Sequence, residues 1–389
     1  MVESMSATSN RFARWSASWT TTSQPFQHSS AVRAAGISGI AKSTESPSST
    51  QAWNAAPGTR SSASASSLSS SLPAAISVAM SKSRPPLIVI AGPTASGKSA
   101  LALECAKAIG GSILNADASQ LYSDIPILSA APSKEERAAA DHRLYAIRSG
   151  AEPFSAAEWA SLARDEISSV HAFGGTPILV GGTGLYLRTL LDGIAPVPPI
   201  DPKVRAEVRS TKVAENREAL AALDPEAAER LGPADTARIA RALEVVRSTG
   251  RKLRDWHAMK TGGIGGDVSL RPIVLTPPRD WLYARCDARF KAMIELGAIA
   301  EVEALLAKNL DPELPVMRAI GIPEIAAFLR DEKDGEAMIS EGQQATRRYA
   351  KRQYTWFKHQ PPPEWPPFSE PLDSPNAMAR ALELLGAGR

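Results

Sequence analysis

Apolar and polar positions along the chain follow two periods. "PLIVIA" (86–91) is a continuous apolar run with β-branched residues, bounded by proline and glycine. Such a run predicts a strand buried on both faces of a parallel sheet. "KSALALECAKAIG" (98–110) has helical spacing and stops at Gly110–Gly111. "SILNAD" (112–117) and "TPILVGG" (176–182) return to strand character. "FSAAEWASLARDEISSVHAFG" (154–174), between them, predicts a long amphipathic helix. Strands alternating with helices predict an α/β fold with a parallel sheet.

From Asp201 the strand pattern disappears. Residues 201–260 are rich in Ala, Glu and Arg at helical spacing, and 201–268 are taken as a helical insertion domain. "RPIVLTP" (271–277) resumes strand character. Residues 281–308 read as a helix broken near Gly297, and 341–360 as a basic helix that ends at "PPPEWPP". "NAMARALELLG" reads as one short helix. The core is thus expected in two parts, 85–200 and 269–360, with a tail over 361–389. No internal repeats are visible.

Composition changes the picture at the N-terminus. Residues 1–84 are crowded with Ser, Thr and Ala and hold seven basic residues against two acidic ones, Glu3 and Glu45. Too few apolar side chains offset the entropy of ordering them, so disorder is expected there. Three explanations stand: a transit peptide, a functional tail, or a true start at Met80. The remaining residues carry a net −2. Nucleic-acid binding must therefore come from local basic patches rather than bulk charge. Two cysteines, Cys105 and Cys286, and five scattered histidines exclude a zinc finger or a disulfide scaffold and suit the cytoplasm. No run is long enough to span a membrane.

The sharpest chemical signal is Gly92-Pro93-Thr94-Ala95-Ser96-Gly97-Lys98-Ser99, a phosphate-loop pattern between a strand and a helix. The glycines let backbone N–H groups approach the ligand, and the helix N-terminus adds a favourable dipole. Lys98 supplies a point charge, and Ser99 can hold Mg²⁺. The loop is expected to bind a diphosphate or triphosphate. The strand "PILVGG" runs into Thr183 rather than an acid, unlike the metal-holding strand of many phosphate-loop ATPases.

Asp117 closes the second strand, on the rim where ligands of open α/β sheets bind. It can take a proton from a nucleophile or simply cap the next turn. Thr183 belongs to the same rim, as a functional hydroxyl or one bonded to backbone. In the basic helix Arg347 and Lys351, and Arg348 and Arg352, lie four apart on neighbouring faces. Only Glu341 is acidic in 341–360. The helix is either a solvated face or a surface for a polyanion.

"GPTASGKS", "NADASQLY", "LVGGTGLYLRTLL", "DPKVR", "RIARALEV", "WLYARCDARF" and "TRRYAKRQYTWFKHQ" occur in this order. Together, over roughly 85–360, they resemble the bacterial tRNA dimethylallyltransferases. The resemblance implies a P-loop NTPase-like core. It implies transfer of the dimethylallyl group from dimethylallyl diphosphate to N6 of adenosine 37, in tRNAs reading codons that begin with U, with Mg²⁺. By motif, Asp117 matches the general base, Thr183 the residue stabilising the reacting centre, and Arg205 an arginine reaching toward diphosphate and tRNA. The anticodon stem-loop is expected to meet Asp117, Ala118, Ser119, Gln120, Thr183 and Arg205. It is also expected to meet Ala237, Arg238, Ile239, Ala240 and Arg241, and on the basic helix Arg347, Arg348, Lys351 and Arg352. No dimerisation heptads are visible in the sequence, so a monomer is expected. Ala237 stands where the family pattern has glutamine, Ala118 where it has serine, and Ala131 where it has a basic residue. A small-molecule kinase binding ATP and a non-catalytic tRNA-binding protein are the alternatives.

Overall fold

The computed structural model describes residues 84–388. The expectations for residues 1–83 lie outside the described residues. Six parallel strands form one sheet in the order β3-β2-β4-β1-β5-β6. Strand β1 (Pro86–Ala91) is central, and all but its first residue are buried. It pairs with β4 (Pro177–Gly181) on one side and β5 (Ser269–Leu275) on the other. β2 (Ser112–Asn115) lies beyond β4 and pairs with β3 (His142–Arg143); β6 (Pro367–Phe368) pairs with β5.

Helices cover both faces, which is why β1 and β4 read as unbroken apolar runs rather than alternating ones. On one face α1 (Lys98–Ile109) packs with the C-terminal helix. Leu101, Ala102 and Cys105 meet Ile88, Ile90, Ile178 and Ala381 there. After β2 come two short helices, α2 (Pro126–Ser129) and α3 (Lys134–Ala139). Helix α4 (Ala156–Ala172) buries Trp159, Ala163 and Ile167 against Leu87, Val89 and Leu179 on the other face. Its start is fixed by a capping box in which Ser155 and Glu158 satisfy each other's backbone N–H. Helix α5 (Gly184–Asp192) follows β4.

The segment after α5 is entirely helical: α6 (Pro202–Ser210), α7 (Val213–Leu223), α8 (Pro225–Arg230), α9 (Thr236–Thr249) and α10 (Leu253–His257). It builds its own small core from Val208, Leu220, Ile239, Leu243 and Val246. The chain enters and leaves this unit at one place. Ile194 and Thr261 form an antiparallel bridge, with N–H···O distances of 3.0 and 3.1 Å. Gly193 and Gly263 flank it, where a Cβ would collide with backbone of the opposite segment.

After β5, α11 (Arg279–Glu295) and α12 (Ala298–Leu306) are separated by Gly297, whose φ of 105° ends the first helix where the sequence predicts a break. Helix α13 (Ile322–Leu329) precedes α14 (Gly335–His359), the basic helix. Helix α14 starts six residues before the sequence-based boundary. Asp334 caps it, accepting from Ala337 N at 2.8 Å, and Met338 and Ile339 continue its buried stripe. The chain closes with β6 and α15 (Ala377–Leu384). Among the described residues no helix is long and apolar enough to cross a membrane, and no group of three or more His, Cys, Asp or Glu is placed to hold a metal ion.

Candidate active site

The carboxyl edge of the sheet gathers the chemistry. β1 runs into the phosphate loop, whose Gly92 has φ 147° and could carry no side chain: a Cβ would lie 2.6 Å from the Leu275 carbonyl. The loop ends at Gly97 (φ 95°), which caps α1. Lys98 opens that helix and donates from Nζ to the Pro93 carbonyl at 2.6 Å. Burial pulls its pKa down to about 8, with nearby Arg289 also lowering it and Asp117 opposing them. Ser99 is exposed at the mouth, while the Ser96 hydroxyl is buried with no hydrogen-bond partner among the described residues.

Asp117 is held from both sides. Buried Asn115, at the end of β2, accepts from Asp117 N at 2.7 Å and donates to Asp117 O at 2.9 Å. One Asp117 carboxylate oxygen accepts from Ser119 N at 3.0 Å, so the turn-capping role is real. The carboxylate nevertheless lines the same cleft as Thr94, Lys98 and Arg289. Thr183 follows β4. Its hydroxyl oxygen accepts from Ala118 N at 3.0 Å, and its side chain hydrogen-bonds the Tyr349 phenol. Burial, and then the Asp117 charge, push the Tyr349 phenol up, so it remains a proton donor beside Asp117. Gly181 lets these strand ends close, because a Cβ there would run into the Ala116 carbonyl.

Helices α11 and α14 supply the opposite wall. Arg289 donates to the Thr94 hydroxyl at 3.3 Å and Arg285 to the Ala95 carbonyl at 3.1 Å. Burial lowers the Arg289 pKa while Asp117 raises it. Ile125, Leu128, Phe290, Met293 and Ile320 contribute apolar side chains to the same lining. The cleft therefore joins the cations Lys98 and Arg289, a carboxylate with hydroxyl neighbours, and apolar side chains.

The IPP transferase family model matches residues 120–360. Two relatives carry the name tRNA dimethylallyltransferase over nearly their full length. The one from Erythrobacter litoralis is 58% identical over 73% of this chain and 91% of its own. The one from Sphingopyxis alaskensis is 59% identical over 74% and 94%. The chain belongs to the tRNA dimethylallyltransferase family of prenyltransferases. Two crystal structures share its fold. The full-length tRNA isopentenylpyrophosphate transferase of Bacillus halodurans is 30% identical, with a TM-score of 0.58 over 78% of this chain and 96% of its own. A eukaryotic dimethylallyltransferase acting on tRNA is 28% identical, with a TM-score of 0.67 over 77% and 78%. The α/β core is accordingly the P-loop NTPase-like core of that family.

Of the residues that the family motifs single out, Lys98, Ser99, Asp117, Ser119 and Gln120 share the cleft. Ala118 and Thr183 adjoin it through their mutual bond. Thr94 contributes its hydroxyl to the cleft, but its backbone N–H is directed away, to the Gln353 side chain at 2.7 Å. Arg205 lies on an exposed face of α6 and does not line the cleft. On α9, Ala237, Arg238 and Arg241 are exposed, and Arg238 pairs with Asp235 at 3.1 Å. Ile239 is a correction to the RNA-contact set. It is fully buried in the core of the helical segment, because the apolar stripe of α9 faces inward, and Ala240 packs half-buried beside that core. On α14, Arg348, Lys351 and Arg352 are exposed, whereas Arg347 is drawn into an ion pair with Asp287 of α11.

Sequence reasoning missed two wall residues, Arg289 and Tyr349, and the buried Gln353 behind the phosphate loop. Arg285 and Arg289 lie four apart on the helix after β5, a spacing that puts two cations on one face. That signal was available. Nothing comparable marks Gln353.

Proposed function

We propose that this chain transfers the dimethylallyl group of dimethylallyl diphosphate to N6 of adenosine 37 in tRNAs reading codons that begin with U. The observation that carries this is one cleft holding Lys98 and Arg289 beside the phosphate loop, Asp117 at the neighbouring strand end, and apolar side chains in the same lining. The reaction forms the N6–C1 bond and breaks the C1–O bond. The diphosphate departs with the bonding electron pair, and the N6 proton goes to the Asp117 carboxylate. Lys98, Arg289 and the helix N-terminus are pre-placed for the charge that develops on the leaving diphosphate. Thr183 and Tyr349 place hydroxyl groups next to the carboxylate. An adenine amine is a weak nucleophile, so orientation carries much of the rate. The base must leave the anticodon-loop stack to enter, as for other enzymes that modify a base.

The residues present fit Mg²⁺. Ser99 offers an exposed, hard oxygen at the start of α1, and Asp117 lines the same cleft. Ser99 would hold the ion, which when bound would neutralise diphosphate charge. Arg238, Arg241, Arg348, Lys351 and Arg352 are exposed cations suited to the phosphates of an anticodon stem-loop. Arg205, exposed on α6 outside the cleft, is proposed to reach toward tRNA.

The test is mass spectrometry of A37 after incubating unmodified tRNA with the protein, Mg²⁺ and dimethylallyl diphosphate. An ATP-only arm serves as control. A prenyl-sized gain only with the diphosphate donor is expected. ATP consumption without that gain would replace this reading with a kinase, and tRNA binding without any turnover with a binding protein.

A further inference from the structure

Gln353 is buried to 6% exposure on α14 and uses both ends of its amide. Oε1 accepts from Thr94 N in the phosphate loop at 2.7 Å, and Nε2 donates to the Gly182 carbonyl after β4 at 2.9 Å. The side chain thus spans the carboxyl ends of two adjacent strands, β1 and β4. Gly182 must stay bare for this, since a Cβ there would run into Nε2 of Gln353. The next residue is Thr183, whose hydroxyl holds Ala118 N directly after Asp117. One amide therefore fixes how far the phosphate loop sits from the Thr183–Asp117 edge.

The outer face of the same helix carries exposed Arg348, Lys351 and Arg352. Helix α14 is also tied to α11, whose Arg289 holds the Thr94 hydroxyl, through the Arg347–Asp287 pair. A buried amide with both ends satisfied is costly to disturb and narrow in its allowed geometry.

We propose that Gln353 is a positioning residue for prenyl transfer, setting the distance between the donor diphosphate and the acceptor edge from the inner face of the RNA-facing helix. This rests on the transferase reading above. Gln353 touches neither substrate; it acts through Thr94 and Gly182.

The chemistry of the amide suggests the variants. Gln353→Met keeps length and volume but loses both hydrogen bonds. In Gln353→Glu one oxygen still accepts from Thr94 N. When ionised, its second oxygen faces the Gly182 carbonyl, acceptor against acceptor; when protonated, it can donate again. The charged or titratable groups around this wall include Lys98 on α1, Asp117 after β2, Arg285, Cys286, Asp287 and Arg289 on α11, and Arg347, Tyr349 and Arg352 on α14. All are common to variant and parent, so the ratio of the two pH profiles isolates residue 353.

The experiment measures kcat and KM for dimethylallyl diphosphate, tRNA affinity, melting temperature, and calorimetric binding of inorganic diphosphate. For Gln353→Met we expect about a tenfold loss in kcat/KM and about tenfold weaker diphosphate binding. Its tRNA affinity should remain within about twofold of the parent. The activity of Gln353→Glu relative to the parent should rise as pH falls from 8 to 6, on the order of severalfold, and that of Gln353→Met should stay flat. Unchanged kinetics and diphosphate binding in Gln353→Met would overturn the proposal. So would a Gln353→Glu ratio that does not change with pH. If the parent itself makes no prenylated tRNA, the transferase reading fails, while weaker diphosphate binding in Gln353→Met would still uphold the role of Gln353 at the loop.

Discussion

Asp117 and Lys98 show how one cleft can keep a carboxylate and an ammonium in different states of readiness. The Asn115 side chain holds both the N–H and the carbonyl of Asp117, so the Asp117 side chain can be altered without freeing its backbone. An asparagine side chain in its place could still accept from Ser119 N but not take a proton. Asp117→Asn should lower kcat by about a hundredfold or more, with melting temperature and tRNA affinity unchanged. Loss of tRNA binding in parallel with kcat would point to a structural role instead. Lys98 is poised by burial to release its proton near pH 8 when no ligand is bound, below its ordinary 10.5. Between those values the unfolded chain holds a proton that the folded chain has released, so stability of the free protein should rise with pH across that window. Diphosphate should reverse this by favouring the charged amine. Its binding near pH 8 to 9 should therefore take up protons and weaken as pH rises further. Calorimetry in buffers of different ionisation enthalpy would read that uptake, and Lys98→Met should abolish it.

At the scale of elements, periodicity carried most of the reading, and it failed where there was no period to see. β1, α1 and β4 were legible because their burial repeats over five or more residues. β3 and β6 have two residues each, too few to show alternation, and exist only because the neighbouring strands offer unpaired edges. Lys98, Asp117 and Thr183 were legible because strand ends and the phosphate loop mark positions. Gln353 was not, because its partners stand 259 and 171 residues away and a lone amide in a basic helix has no pattern. Helix α9 makes the same point. The motif around "RIAR" names a run, but only the packed helix separates its inner face from its outer one. Ile239→Ala should cost about 2–4 kcal/mol of stability in the helical segment. Arg238→Ala, on a side chain 77% exposed, should leave melting unchanged and weaken tRNA binding with a reduced salt dependence. Equal melting temperatures for the two variants would contradict the assignment of faces.

For the molecule as a whole, the residues after α14 pack against the phosphate loop and the helix that follows it. Leu372 lies against the phosphate loop, 2.8 Å from where a Cβ on Gly97 would be, β6 extends the sheet beyond β5, and α15 packs on α1. A chain ending at residue 360 should accordingly melt several degrees lower and bind inorganic diphosphate more weakly, while retaining the exposed cations of α9 and α14. Undiminished diphosphate binding in that truncation would show that the loop needs no support from the tail. The bridge between Ile194 and Thr261 has a different consequence. Because the chain departs from the core and returns to it across a single bridge between bare glycines, everything between can lengthen, shrink or be exchanged without rerouting a strand. Residues 195–260 can therefore vary in length at little cost in chain closure, and the sheet beneath them keeps its register.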